Sequence, residues 1–157
     1  STGNITLEMT ELNFVELINQ VIGEFEEKFE ERNLQMVVHF DEEEAIICAD
    51  GRRLWRVLEN VFGNVSKYAM ENTRVYVDMN VNRPNVRLSL KNISAQPLNI
   101  TADELTERFI RGDISRNTEG SGLGLSIAKD LVQLQGGTFN LYLDGDLFKV
   151  TIEFKMK

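Results

Sequence analysis

The chain has 157 residues, 42% apolar and 27% charged, with a formal charge of −8, which suits one globular domain with a sizeable core. No apolar run approaches the roughly 20 residues of a membrane span, and the first residues lack a signal peptide's charged and apolar regions. No membrane contact is therefore expected of this fragment, and the acidic balance argues against nucleic acid as a partner.

Residues 5–8 are expected to form a short edge strand. Asn13 is suited to cap a helix of about 14–32, in which Phe14, Leu17, Ile18, Val21, Phe25 and Phe29 recur at helical spacing. The acidic run Glu24 to Glu31 in that helix reads as a solvated face. Strands are predicted at 35–40 and 45–48 around an acidic turn. His39 then falls on a strand, as a surface or core residue. The single cysteine, Cys48, is expected in the core and fits a reducing compartment. Asp50 can cap a second helix of about 51–70. Strands at 73–81 and 86–92 flank a turn at Asn82-Arg83-Pro84-Asn85. Thr101-Ala102-Asp103-Glu104 has a capping-box pattern that opens a short helix to about Arg108. A helix of about 122–135 closes at Gly136-Gly137, and strands at 138–143 and 147–155 end the chain. The order predicts a single α+β domain over 1–157. It would be a two-layer α/β sandwich, with a mixed, mostly antiparallel sheet of about five strands and about three main helices on one face.

Two features carry chemistry. At about 100° per helical residue, Asn60, Asn64 and Lys67 fall on one stripe beside the apolar face of Leu54, Val57, Leu58, Val61, Val65 and Tyr68. Carboxamide oxygens suit a hard cation such as Mg2+, and an ammonium suits phosphate. The stripe reads equally as a solvated helix edge. Sixty residues on, Gly120, Gly122 and Gly124 alternate just before an apolar-periodic stretch that includes Leu125 and Ile127. Such a turn places unpaired N–H groups and the positive end of a helix dipole where phosphate binds well. No Gly-Lys-Ser/Thr follows, so this is not a Walker loop, and Ile127 stands where a dinucleotide fingerprint needs its third glycine.

Asn60-x3-Asn64-x2-Lys67-Tyr68 resembles the N box of sensor histidine kinases. Arg108-Phe109-Ile110-Arg111-Gly112-Asp113-x-Ser115-Arg116 resembles their F box and lid, and Gly120-x-Gly122-Leu123-Gly124 their second glycine box. The resemblance covers nearly the whole chain and implies the Bergerat-type ATP-binding fold. It implies that Asn64 ligates Mg2+, that Asn60 assists the ion or the phosphates, and that Lys67 meets phosphate while Tyr68 packs near adenine. Backbone amides around Gly120, Gly122 and Gly124 would receive the polyphosphate, and Arg111 and Arg116 would approach the γ-phosphate. Asn92, Ile100, Phe109, Ser121, Leu123 and Leu125 complete the implied nucleotide set.

The chain departs from the family where the first glycine box carries Asp-x-Gly-x-Gly. Here Asn92 replaces the Asp and both glycines are missing. Thr106 replaces the first Phe of the F box, and Leu147-Phe148 stands where Gly-Thr is usual. The phosphate half is thus kept and the adenine half altered. Glu59 lies about 100° off the ligand stripe and reads as a surface or helix-pairing residue. Asn60 cannot act as a general base, which favours transfer over hydrolysis. The resemblance further implies ATP and Mg2+ as cofactors, with upstream dimerisation and phosphoacceptor helices and a response regulator as partners. Residues 1–10 resemble the end of the linker from those helices. The expected whole is a monomeric, cytoplasmic catalytic fragment that binds Mg-ATP but cannot autophosphorylate alone. A docking module without transfer activity and an anti-sigma-type serine kinase are the alternatives.

Overall fold

The computed structural model describes residues 5–97 and 123–157. Its elements run β1 (Thr10–Asn13), α1 (Phe14–Glu31), β2 (Gln35–Phe40), β3 (Ile46–Ala49), α2 (Gly51–Tyr68), β4 (Arg74–Asn82), β5 (Asn85–Ile93), α3 (Leu123–Leu134), β6 (Thr138–Asp144) and β7 (Leu147–Lys155). The main sheet has the strand order β2-β4-β5-β7-β6, with β2 and β4 parallel and the other neighbours antiparallel. β1 and β3 form a separate two-stranded antiparallel ribbon. Alternation sends Val75, Val77, Leu88, Leu90, Val150 and Ile152 to the inner face of the sheet, all buried. Phe14, Ile18, Leu54, Leu58 and Val132, on the helices, close the same core. Among the described residues no helix is long and apolar enough to cross a membrane.

The helix boundaries follow from their caps. Asn13 Oδ1 accepts from Val15 N–H and Ala45 N–H, both at 3.1 Å, so one carboxamide starts α1 and ties it to the segment before β3. At the other end of the β1–β3 ribbon, Asp50 accepts from Glu8 N–H at 2.8 Å and Arg53 N–H at 3.1 Å. Its own N–H donates to Gln135 Oε1 at 2.8 Å, which fastens the start of α2 to the end of α3. Burial pushes the Asp50 carboxyl up, but the Glu8 and Arg53 N–H groups and the Arg53 guanidinium hold it below the usual carboxylate range. A carboxyl lowered by folding adds stability above its unfolded value of about 3.9, and that stability is lost as pH falls through the folded value. Asp50→Ala is therefore expected to cost about 1–2 kcal/mol at neutral pH. In urea denaturation, its gap from the unmodified protein should narrow once pH drops below about 4.

Two expectations are corrected. The edge strand expected at 5–8 lies instead at Thr10–Asn13. Glu8 spends its N–H on the Asp50 carboxylate, and the ladder with β3 begins at Thr10 opposite Ala49. Cys48 is exposed, not core. β3 starts one residue later than expected, at Ile46, and the two-residue alternation turns Ile47 and Ala49 inward and Cys48 out. His39 lies on the strand surface, with Nε2 3.1 Å from Asp41 Oδ1.

The double glycine after α3 does two jobs. Gly136 takes φ +86°, the left-handed conformation that ends the helix. At Gly137 a Cβ would come within 2.8 Å of the Phe154 ring and 2.9 Å of Glu153 O, so only glycine lets the chain turn this close to β7. The short helix expected from Thr101 to Arg108 lies outside the described residues.

Candidate functional site

α2 is the wall on which the site is built. Leu54, Val57, Leu58, Val61, Phe62 and Val65 bury one face of it, and Asn60, Gly63 and Asn64 sit half-exposed along the border. Three aromatic rings set the spacing to α1. Phe62 lies 5.8 Å from Phe25 and 6.5 Å from Phe29, centroid to centroid. Arg32 Nη1 donates to Ser66 O at 2.8 Å, which ties the end of α1 to the last turn of α2. Ser66 is itself buried, its hydroxyl donating to Gly63 O at 2.9 Å.

Between these helices and the start of α3 opens a cleft of about 310 Å³. α2 contributes Glu59, Asn60, Gly63, Asn64, Ser66 and Lys67 to it, α3 contributes Gly124 and Leu125, and α1 contributes Phe25 and Lys28. Gly124, the last of the three alternating glycines, lies close against the carboxamide stripe. A Cβ placed on Gly124 would lie 3.3 Å from Asn60 Cγ and 3.5 Å from Asn60 Oδ1. Gly124 falls in the first turn of α3, where the helix dipole is positive and N–H groups lack helical partners. Among the described residues no group of three or more His, Cys, Asp or Glu could hold a metal ion. A hard cation in this cleft could draw on the carboxamide oxygens of Asn60 and Asn64, the Glu59 carboxylate that lines it and the oxygens of a bound phosphate.

The structure therefore brings together Asn60, Asn64, Lys67, Gly124 and Leu125 of the residues singled out in the sequence. Tyr68 and Asn92 are not in the cleft lining. They lie next to each other's elements, because the end of β5 is laced to the end of α2. Met70 N–H donates to Ile93 O at 2.8 Å and Ala95 N–H to Tyr68 O at 2.9 Å. Asn92 faces the core opposite Phe148 and is only 3% exposed. Its Oδ1 is buried and has no hydrogen-bond partner among the described residues. Ile100, Phe109, Arg111, Arg116, Gly120, Ser121, Gly122 and the Leu123 side chain lie outside the described residues.

Sequence reasoning missed Phe25 and Lys28 as cleft residues. Phe25 carried only a core signal. Lys28 sits in the acidic run read as a solvated face, and its Nζ lies 5.2 Å from the Phe25 ring centroid. Glu59 is exposed, as its angle implied, and it also lines the cleft.

Comparison with known proteins follows the same lines. The family described as Histidine kinase-, DNA gyrase B-, and HSP90-like ATPase matches residues 49–157. The probable sensor protein PcoS of Escherichia coli is 28% identical over 154 residues, which is 96% of this chain and 32% of PcoS. The catalytic domain of histidine kinase ThkA matches with a TM-score of 0.79 at 29% identity, over 95% of this chain and 96% of that one. A structure of ThkA in complex with response regulator protein TrrA matches with a TM-score of 0.76 at 27% identity, over 96% of this chain and 42% of that one. The chain spans between about a tenth and a third of the length of the curated relatives it matches.

Proposed function

The chain belongs to the Histidine kinase-, DNA gyrase B-, and HSP90-like ATPase family, as the catalytic domain of a sensor histidine kinase, and from that premise we propose that its cleft binds Mg-ATP and delivers the γ-phosphoryl group to a histidine on a separate dimerisation domain. The observation that supports this most is the contact of Gly124 with Asn60, which sets a helix N-terminus against a carboxamide edge in one cleft.

Phosphoryl transfer is mostly positioning and charge neutralisation, so few reactive groups are needed. Asn64, with Asn60 beside it, offers oxygens to the cation. Lys67 lines the same cleft and supplies a positive charge for phosphate. The N–H groups in the first turn of α3, where Gly124 carries no side chain, receive phosphate oxygens. When bound, Mg2+ would neutralise phosphate charge and hold the oxygens in register. Asn92 presents a buried acceptor with no partner among the described residues, which suits a donor such as the adenine amino group. Asn60 has no basic function, so nothing at that position activates water. Glu59 is the carboxylate in the cleft, and its exposed position on α2 suits a rim residue. By the resemblance, Arg111 and Arg116 meet the γ-phosphate.

The partners proposed are the phosphoacceptor helices of the same kinase and a response regulator, the latter supported by the ThkA complex with TrrA. A second reading, nucleotide sensing without transfer, is favoured by the loss of charge at Asn92. Incubation with purified acceptor helices, labelled ATP and Mg2+ tests both. The expected product is an acid-labile, alkali-stable phosphohistidine that requires Mg2+. Its absence at every Mg2+ concentration would leave the sensing module, and an acid-stable phosphoserine would point to a serine kinase.

A further inference from the structure

The main sheet turns one face away from the helices, and its charge differs from that of the rest of the chain. On β7, buried Phe148, Val150, Ile152 and Phe154 alternate with half-exposed Leu147, Lys149, Thr151 and Glu153, which therefore point outward. Strand register then sets Tyr76 opposite Lys91, Lys91 opposite Lys149, and Lys149 opposite Tyr142. These four side chains form one row across four strands. Lys91 Nζ stands 5.0 Å from the Tyr76 ring centroid and Lys149 Nζ 5.7 Å from that of Tyr142.

Like charges directly opposite in a ladder are destabilising. Among the described residues neither lysine has a carboxylate partner, and the flanking rings hold both ammonium groups in place. Next along the strands, Ile93 lies opposite Leu147 and is 37% exposed, while Tyr142 is 53% exposed. A groove of about 560 Å³ lined by Arg74, Tyr76 and Ile93 continues the row at the β4 side. Arg87, the other cation in the middle of this face, is already paired with Glu153 at 3.1 Å. The acidic excess of the chain lies elsewhere, with Glu24, Glu26, Glu27, Glu30 and Glu31 on α1.

We propose that this outer face is a docking surface for an acidic segment of a partner protein, with the Lys91–Lys149 pair meeting its carboxylates and Tyr76, Ile93 and Tyr142 its apolar side chains. Charge complementarity selects the occupant. Two uncompensated lysines held on aromatic rings match a few carboxylates, and apolar neighbours match a polypeptide. Asp78 and Asp144, on the same face by strand parity, confine the positive charge to that short row, which suits two or three carboxylates and not the continuous phosphate track of a nucleic acid. The surface is independent of the nucleotide cleft, which lies among the helices on the opposite side.

The probe is a dye-labelled peptide carrying two or three adjacent glutamates flanked by leucines, titrated with the protein in fluorescence polarisation. Binding is expected to weaken with added salt and to fall at least about tenfold in the double variant Lys91→Glu/Lys149→Glu, with ATP binding unchanged. Arg83→Glu, the same kind of charge reversal at the β4–β5 turn, is the control and should fall less than about twofold. The proposal fails if the peptide does not bind, if the control weakens binding as much as the double variant, or if an oligonucleotide binds as tightly through the same lysines. Sedimentation at rising protein concentration covers the remaining occupant: self-association that the double variant removes would assign the face to a second copy instead. A thermal melt of the double variant, expected to match the unmodified protein, separates lost docking from lost folding.

Discussion

Asn64→Ala is expected to remove the Mg2+-dependent part of nucleotide binding, weakening affinity about tenfold to a hundredfold, or ~1.4–2.8 kcal/mol. Asn64 is half-exposed and lines the cleft between Lys67 and the first turn of α3. Its amide oxygen is there to be used by a ligand. With no acidic cluster among the described residues to take over, the substitution leaves the cation held mainly by phosphate and water. The fold should not suffer, because Ala is the better helix former by roughly 0.5 kcal/mol at an interior position and no core volume is removed. Calorimetry with a non-hydrolysable ATP analogue, with and without Mg2+, separates the two contributions. The variant should bind equally in both conditions, where the unmodified protein binds more tightly with Mg2+. Full Mg2+ enhancement in the variant would sink the metal assignment. Asn64→Asp is the companion, since a carboxylate keeps a ligand oxygen and should retain the enhancement.

Local signals in the sequence were strong wherever a backbone group had one partner nearby in the chain. Asn13 and Asp50 cap α1 and α2 where the patterning placed them, and the two hairpins β4–β5 and β6–β7 follow turn chemistry that is contained in a few residues. The ribbon β1–β3 was not legible in this way. Its first residues were drawn off by a carboxylate 42 positions away, a competition that periodicity does not register. The same limit applies to the cleft. Asn60, Asn64 and Lys67 share a helix, so their common edge could be read from rotation alone. Gly124 reaches them only because α3 packs on α2. Phe25 and Lys28 reach the cleft only because Phe25, Phe29 and Phe62 lock α1 beside α2. Phe62 falls outside the apolar stripe of Leu54, Val57, Leu58, Val61, Val65 and Tyr68, so rotation along α2 does not reveal that lock. At Asn92 the sequence showed which charge is lost, and the structure added that the remaining oxygen is buried without a partner among the described residues.

That oxygen leads to the other large effect. A buried acceptor left unpaired costs about 1–3 kcal/mol, whereas an apolar group of similar shape in its place is neutral or stabilising. Asn92→Leu is therefore expected to hold or raise the melting temperature, since the inner face of β5 around it is already apolar, with Leu88 and Leu90 on the same side. If Asn92 accepts from the adenine amino group, the same change should weaken ATP binding about tenfold to a hundredfold. Stability and affinity thus move in opposite directions, which a general packing defect would not produce. Base choice sharpens the test. A carboxamide has a donor end as well as an acceptor end, so by rotating it could meet the carbonyl of guanine where adenine carries its amine. The protein is expected to discriminate poorly between ATP and GTP. Asn92→Asp, which has only acceptors when ionised, should widen that discrimination in favour of ATP while lowering the melting temperature, because an unpaired carboxylate is costly to bury. Parallel titrations with both nucleotides and thermal melts of the three proteins decide the matter: equal ATP affinity in the Leu variant, with or without a change in stability, would remove Asn92 from the base site.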